Sequence, residues 1–303
     1  MARGDDTSGR DTVDDERTTG PGSAAALTAE QRASFAERGW LRLCEAFPRA
    51  AALQLQERLW DELREVHGIV RERRETFHQP RATLRCAKRD PLQHVIASEV
   101  LLGAIGELLD ALPWRVPSNW GIVLTTFPDR TSAAWDVPAS GWHYDFDLLE
   151  NAPAPRGLQV FTFLGSVVAR GGGTLVVEGS HRLAARFVES LSADDRTLDH
   201  QTLRRRFLRH DPWLRALTGR EPATGDRVAQ LMGSRHVRDG SALRVVELTG
   251  EPGDAILCHP LLLHVASRNA AEQPRFMRSQ RICCERSPSG PAQVDRAALR
   301  TRR

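Results

Sequence analysis

The N-terminal part of the chain alternates apolar and polar residues with a helical period. In "LTAEQRASFAERGWLRL", Thr28 followed three residues later by Gln31 has the capping-box pattern, and Gly39 suits the left-handed position after a helix. The "WLRL" that follows alternates like a strand. The segment "PRAAALQLQERLWDELREVHGIV" predicts a longer amphipathic helix, and a third helix is expected over about 97–111.

From about Gly121 the pattern changes to short apolar runs separated by Gly and Pro, which is typical of strands. Strands are predicted near residues 121–127, 141–147, 157–164, 173–177, 242–249, 254–259, 262–267 and 275–285. Between them, the Arg-rich segment 182–240 predicts a helical insertion that could act as a lid. The sequence therefore favours a mainly β fold with helices, in which an N-terminal helical layer covers one antiparallel β-sandwich.

The two ends of the chain are polar and rich in Gly, Ser and charged residues. Residues 1–25 and 287–303 cannot bury enough apolar surface to offset their ordering entropy, so we expect a disordered N-terminal tail and a flexible C-terminal tail. A single domain is expected over 26–286.

Composition narrows the class of protein only modestly. The 303 residues are 41% hydrophobic and 27% charged, as in ordinary globular proteins, and a net charge of +3 is too small to indicate nucleic-acid binding. The five cysteines are odd in number and contain no Cys-x-x-Cys pair, which favours reduced thiols. No signal peptide or membrane span is evident. We expect a cytoplasmic monomer or homodimer without nucleic-acid or membrane partners.

The short stretch "GWHYDF", residues 141–146, contains the first candidate chemistry. On a strand, His143 and Asp145 would share a face, whereas Asp147 would lie roughly 13 Å from His143. Two imidazoles and one carboxylate leave three open positions on an octahedral ion, which is the signature of non-haem Fe(II) oxygenases. The second histidine could be His259 or His264, and spacing alone does not choose between them.

Several motifs in order resemble the phytanoyl-CoA dioxygenase family of Fe(II)/2-oxoglutarate oxygenases. The motifs are "GWHYD", "GGGTLVVEGSH", "PGDAILCHPLLLHVASRN" and "PRFMRSQRI", and the resemblance extends over about residues 27–285. It implies a double-stranded β-helix core, also called a jelly roll or cupin-like fold.

The resemblance also implies roles for individual residues. His143, Asp145 and His264 match the metal ligands, and Arg275 after Pro274 matches the arginine that binds 2-oxoglutarate. Many family members read His-x-Ser at the distal ligand, whereas here the serine is one place later, at Ser267. Ser267 is kept as a candidate contact to 2-oxoglutarate, although its strand parity differs.

Three further arginines compete with Arg275 for this role, namely Arg268, Arg278 and Arg281. Arg278 has the opposite strand parity, and Arg281 lies further along the strand. His181 in "EGSH" is interpreted as a turn residue that orders the loop near the site, and His259 as a strand residue that packs beside the site.

By resemblance, the cofactors are Fe(II), 2-oxoglutarate as cosubstrate and O2, with ascorbate in support. The implied activity is hydroxylation of a small molecule, of secondary-metabolite or acyl type, with release of succinate and CO2. Asp145 occupies the place where related halogenases carry a small residue, so hydroxylation is favoured. The alternatives are desaturation, epoxidation or cyclisation on the same iron, or a non-catalytic jelly-roll binding protein.

Overall fold

The computed structural model describes residues 27–82, 84, 90–129, 134–152, 154–222, 225–233, 235–238 and 240–285. The predicted tails, 1–25 and 287–303, lie outside the described residues. No helix in the described ranges is both long and apolar enough to cross a membrane. The described cysteines Cys44, Cys258, Cys283 and Cys284 are free thiols, and Cys86 lies outside the described ranges.

The helices begin and end at identifiable caps. They are α1 (Ala29–Arg38), α2 (Arg49–His67), α3 (Glu99–Leu108), α4 (Leu148–Asn151), α5 (Ser180–Glu189), α6 (His200–His210) and α7 (Pro212–Leu217), with 3-10 turns at Arg74–Thr76, Pro91–Ile96 and Asp195–Thr197 and a π turn at Ala229–Gly233. The capping box of Thr28 and Gln31 is confirmed, as is the left-handed Gly39 with φ of 84°. The third helix is shorter than predicted at both ends, and its start is set by the Ser98 hydroxyl, which caps it by accepting from Leu101 N.

Two antiparallel sheets form the body of the protein. The strands are β1 (Trp40–Leu43), β2 (Ile122–Thr126), β3 (Gly157–Phe163), β4 (Thr174–Glu178), β5 (His236–Arg238), β6 (Ser241–Leu248), β7 (Ala255–Cys258), β8 (His264–Ala266) and β9 (Arg275–Cys283). The larger sheet has the order β1-β7-β3-β9-β2 and the smaller has the order β5-β6-β4-β8. This architecture confirms the predicted mainly β jelly roll with helices.

Apolar side chains separate the structure into layers. Residues from both sheets meet in one cluster, for example Phe161 and Met277 of the larger sheet with Val176 of the smaller sheet. Leu59 of α2 belongs to a second cluster on the outer face of the larger sheet, and Phe207 of α6 to a third on the outer face of the smaller sheet. The helical insertion is therefore part of a buried core, as the 0% exposure of Phe207 shows.

The predicted strand over 141–147 is wrong. His143 forms one isolated antiparallel bridge, to His264, and the chain then turns into α4. The Asp147 carboxylate stops any strand by accepting from Leu149 N and Glu150 N at 2.9 and 3.1 Å, as the N-cap of α4. The predicted boundary of the insertion also differs, because α5 already begins at Ser180, and β5 was not predicted.

Candidate metal centre

Three side chains converge at one end of the sandwich. His143, Asp145 and His264 each offer a ligand atom, and these atoms all lie within 4.8 Å of one another. The Asp145 carboxylate lies between the rings, with Oδ1 at 3.6 Å from His143 Nε2 and Oδ2 at 3.5 Å from His264 Nε2. The described residues thus contain a group of three His and Asp side chains that could share a metal ion.

Main-chain pairing places the two imidazoles side by side. His143 N donates to His264 O at 3.1 Å, His264 N donates to His143 O at 2.8 Å, and the ring centroids are 4.3 Å apart. His264 in turn belongs to β8, where it lies opposite Val176 of β4. His264, the candidate distal ligand, is therefore anchored in the smaller sheet, and the loop that carries His143 is attached to it.

Backbone carbonyls orient both rings for ligation through Nε2. His143 Nδ1 lies 2.7 Å from Gly141 O, and His264 Nδ1 lies 3.0 Å from Leu262 O. A carbonyl can only accept, so each Nδ1 carries the proton and each Nε2 lone pair faces the Asp145 side. A second hydrogen bond of this kind is the usual way in which metal-binding imidazoles are held.

The site favours the protonation states that a metal ion requires. Burial and the neighbouring His264 lower the pKa of His143, so that its ring is neutral over a wider range. The close approach of the His264 side chain lowers the pKa of Asp145 and outweighs the opposite effect of burial. Neutral imidazoles with an ionised carboxylate form a ligand set that needs no further deprotonation.

His259, the other candidate for the distal ligand, lies elsewhere. Its ring is 4.7 Å from that of His181 and 6.3 Å from that of Phe35, and its Nδ1 accepts from Leu261 N at 3.1 Å. His181 Nε2 lies 3.0 Å from Ala36 O in α1. These two histidines therefore pack under the N-terminal helix, and the structure brings His264, not His259, to His143 and Asp145.

Arg275 and Arg278 are the two deeply buried arginines among the four candidates. Arg275 is 2% exposed, and its guanidinium donates to Gly172 O, while its Nε has no hydrogen-bond partner among the described residues. Burial, and then the positive charge of Arg81, lower the pKa of Arg275 to about 10, against the opposing effect of Glu247. Arg275 thus stays a cation at neutral pH with an unused Nε donor in the protein interior.

The competing arginines have other surroundings. Arg278 lies on the opposite face of β9 and donates to Gln93 Oε1 at 3.1 Å. Arg268 pairs with Asp129 at 3.3 Å. Arg281 lies close to the metal centre, since its Nη1 is 3.4 Å from Asp145 O, and it is solvent-exposed.

The serine after the distal histidine is engaged with the backbone. Ser267 Oγ donates to Gly173 O at 2.8 Å and lies 3.4 Å from Glu247 Oε1. The place two residues after His264 is taken by Ala266, which has no hydroxyl. Asn269 Nδ2 donates to Thr126 O and to Gln273 O, so it connects two chain segments.

Sequence analysis missed one charged neighbour of the metal centre. The ring of His200 lies 5.5 Å from that of Tyr144, and the ring of Phe207 lies 6.3 Å from it, so this face of α6 packs on the ligand loop. Arg204 lies between them on that face, by the i, i+4, i+7 spacing. After burial and His264, the charge of Arg204 is a further cause that lowers the pKa of His143. The i, i+4, i+7 spacing of His200, Arg204 and Phe207 was the sequence feature that could have indicated that Arg204 lies on this face of the helix.

Comparison with known proteins identifies the family. A sequence model described as phytanoyl-CoA dioxygenase (PhyH) matches residues 35–277. No curated protein sequence matches the chain. The structure of HygX from Streptomyces hygroscopicus with nickel and 2-oxoglutarate bound has a TM-score of 0.51 at 15% identity, over 86% of this chain and 88% of that chain.

Two further solved structures are similar at lower TM-scores. The non-heme alpha-ketoglutarate-dependent carbocyclase SnoK from nogalamycin biosynthesis has a TM-score of 0.47 at 17% identity, over 88% of this chain and 87% of that chain. AviO1 from Streptomyces viridochromogenes has a TM-score of 0.47 at 14% identity, over 90% of this chain and 100% of that chain. Because the family match extends over most of the sequence, the chain belongs to the phytanoyl-CoA dioxygenase family, a family of iron- and 2-oxoglutarate-dependent oxygenases.

Proposed function

We propose that the protein hydroxylates a small molecule with Fe(II), 2-oxoglutarate and O2, and releases succinate and CO2. The proposed metal ligands are His143, Asp145 and His264, and Arg275 is the proposed anchor for the distal carboxylate of 2-oxoglutarate. The observation that carries the proposal is the convergence of three ligand atoms within 4.8 Å in a member of this family.

The donor set fits iron. Two neutral imidazoles and one carboxylate occupy one face of an octahedral ion and leave three positions for cosubstrate and O2. When bound, iron supplies the site that activates O2, and 2-oxoglutarate supplies electrons as it is decarboxylated. The side chains of His143 and Asp145 are 37% and 32% exposed, whereas that of His264 is 10% exposed, so the group is open on the side of the ligand loop.

The surroundings of Arg275 fit a dicarboxylate. Arg81 and the Glu247 carboxylate are the charged neighbours that shift the pKa of Arg275. The two guanidinium groups and one carboxylate together carry a net positive charge. A buried guanidinium with an unused donor is stabilised by a carboxylate that it can bind with two hydrogen bonds, a geometry that a lysine cannot offer. Ser267, the other proposed cosubstrate contact, would have to exchange its hydrogen bond to Gly173 O.

The insertion is the proposed cover of the substrate. The packing of α6 on Tyr144, between the proposed ligands His143 and Asp145, supports this role, in which residues around 200–220 would exclude water and contact the substrate. Trp213 and Leu214 anchor this segment in the core on the outer face of the smaller sheet. The proposed cover is therefore the pair of packed helices α6 and α7, and not an unstructured loop.

Hydroxylation is the favoured outcome because Asp145 keeps the metal coordinated by a carboxylate. Desaturation, epoxidation and cyclisation use the same ligand set and differ in how the substrate is held. A non-catalytic binding protein with the same fold would bind the metal without consuming cosubstrate.

One experiment separates these functions. The purified protein is incubated with a metabolite extract, Fe(II), ascorbate and 2-oxoglutarate, and products are followed by mass spectrometry together with succinate. A product that gains the mass of one oxygen supports hydroxylation or epoxidation, which the NMR spectrum of the product distinguishes, whereas loss of two hydrogens would indicate desaturation or cyclisation. If the iron-loaded protein forms no succinate above an Asp145→Ala control with any fraction, the enzymatic function is wrong.

A further inference from the structure

Thr126 lies beside the proposed carboxylate anchor. It is the last residue of β2, and the antiparallel register places it directly opposite Arg275 of β9. Side chains of directly opposed residues share one face of a sheet and lie in contact distance. The side chain is buried, with 5% of the residue exposed.

The methyl of Thr126 packs toward the residue that holds Arg275. A Cβ built on Gly172 would lie 3.3 Å from Thr126 Cγ2, and Gly172 O accepts the hydrogen bond of the Arg275 guanidinium. Thr126, Gly172 and Arg275 therefore form one small contact group inside the sandwich.

The hydroxyl of Thr126 has no hydrogen-bond partner in the part of the chain that the structure describes. Its neighbour Thr125 shows the contrast, because Thr125 Oγ1 donates to Ala82 O at 2.9 Å and accepts from Ala82 N at 3.1 Å. Strand β2 thus satisfies the hydroxyl on one face and leaves the one on the Arg275 face open. A buried hydroxyl without a partner is unfavourable, so a bound group is the natural partner.

Among the described residues that line the cavity beside this pair, no other hydroxyl is left without a hydrogen-bond partner. A cavity of about 510 Å³ is lined by Thr126 and Ala266, among other residues, and Arg81 lies on the same cavity. Ala266 presents only a methyl group, and the hydroxyl of Ser267 is bonded to Gly173 O.

We propose that Thr126 Oγ1 donates a hydrogen bond to the distal carboxylate of 2-oxoglutarate while Arg275 binds the same carboxylate. Two donor groups of different geometry on one carboxylate fix its orientation as well as its charge. This inference rests on the proposed function, since it takes 2-oxoglutarate as the cosubstrate, and it assigns to Thr126 a role in choosing a five-carbon dicarboxylate.

Thr162 provides the matched control. It is also a buried threonine whose hydroxyl has no hydrogen-bond partner among the described residues, and it lies on the neighbouring strand β3. The register places it opposite Arg278, on the other face of the larger sheet from Arg275. Removing its hydroxyl changes the same chemical group without touching the proposed site.

The test is an anaerobic titration of the Fe(II)-loaded protein with 2-oxoglutarate, followed by the visible charge-transfer absorption of the complex. Thr126→Val should weaken 2-oxoglutarate binding about tenfold or more, in line with loss of one hydrogen bond to a charged group. Fe(II) affinity, measured without cosubstrate, should stay unchanged. Thr126→Ser should bind 2-oxoglutarate like the wild type, and so should Thr162→Val.

Two comparisons exclude a merely structural effect. 2-Oxobutyrate lacks the distal carboxylate, so Thr126→Val should bind it as the wild type does. Adding Ala266→Ser to Thr126→Val, which places a hydroxyl on the lining of the same cavity, should recover part of the affinity for 2-oxoglutarate.

The inference is overturned if Thr126→Val binds 2-oxoglutarate like the wild type, or if Thr126→Ser loses as much affinity as Thr126→Val. If the wild-type Fe(II) protein shows no 2-oxoglutarate binding at all, the proposed function fails and takes this inference with it. The two failures are distinguished by the wild-type titration alone.

Discussion

His143 and His264 are joined through their own main chains, by hydrogen bonds of 3.1 and 2.8 Å in the two directions. The two imidazoles therefore keep their spacing without a metal ion, because a closed pair of backbone hydrogen bonds fixes the two Cα positions. Asp145, two residues later, has only to turn its carboxylate toward them.

Alanine at His143, Asp145 or His264 should each abolish Fe(II)-dependent succinate formation, because three ligands are needed to hold the ion on one face. Metal content after loading and gel filtration, with succinate measured in parallel, checks this. His259→Ala should keep its iron where the fold survives, since His259 packs against His181 and Phe35. Loss of iron in His259→Ala together with retention in His264→Ala would refute the assignment of the distal ligand.

Arg275→Ala and Arg275→Lys should raise the 2-oxoglutarate KM sharply while Fe(II) still binds. Loss of a bidentate contact to a carboxylate in a buried site typically costs on the order of 10²-fold or more in affinity. Steady-state succinate formation against 2-oxoglutarate concentration measures the effect. An unchanged KM in Arg275→Ala, with a raised KM in Arg281→Ala, would transfer the role to Arg281, whose Nη1 is 3.4 Å from Asp145 O.

Gly39→Ala should destabilise the protein by on the order of 1–3 kcal/mol, because the residue has φ of 84° and an added Cβ would lie 2.5 Å from His181 Nδ1. Gly106→Ala is the matched substitution, since Gly106 lies inside α3 and an added Cβ meets nothing within 4 Å. It should stabilise by about 0.5–1 kcal/mol. Urea unfolding of both variants measures the two changes, and equal signs would contradict the expectation.

His181 should make the protein less stable in acid. Burial lowers the pKa of His181 from 6.5 to about 4, so the folded state holds the ring neutral where the unfolded chain binds a proton. The contribution of His181 to the free energy of unfolding should therefore be fully present above pH 6.5. It should fall as the pH drops toward 4, by up to about 3 kcal/mol. His181→Gln removes the titrating ring and should flatten this slope in unfolding experiments from pH 7 to 4. An identical slope would assign the acid sensitivity to other groups, such as His259.

Proteolysis within the segment 200–220 should slow when Fe(II), 2-oxoglutarate and the true substrate are present together under anaerobic conditions. The segment packs on Tyr144 through His200 and Phe207, so a substrate held between it and the metal would resist opening. Cleavage sites mapped by mass spectrometry, with each ligand omitted in turn, provide the measurement. Cleavage that is indifferent to substrate would mean that the insertion only packs on the outside of the sandwich.

Local pattern was sufficient wherever a feature depends on neighbours in the chain. The capping box at Thr28 and the left-handed Gly39 are set by residues within one helical turn, and both are found in the structure. The short apolar runs bounded by Gly and Pro at 157–164 and 275–285 predicted β3 and β9 to within two residues at their ends. The order of motifs led to the correct family, because a family pattern records residue types and their spacing.

The ligand loop shows where local pattern misleads. The segment 141–147 alternates like a strand, yet its one bridge partner is His264. The Asp147 carboxylate instead accepts hydrogen bonds from the first turn of α4. Residues near Asp147 could either continue a strand or begin a helix. The helix begins there because the Asp147 carboxylate satisfies two backbone donors at once. His143 and Asp145 still face each other, but through a turn after Gly141 with φ of 86° and not through a strand face.

By itself, the sequence determined the family, the candidate ligand residues and the caps and turn residues that start and stop most elements. Only the tertiary structure decided that His264 and not His259 lies beside His143, that Arg275 is buried opposite Thr126, and that α6 packs on the ligand loop. These relationships join residues far apart in the chain through strand register and side-chain packing, and such pairings leave no periodic trace near either partner.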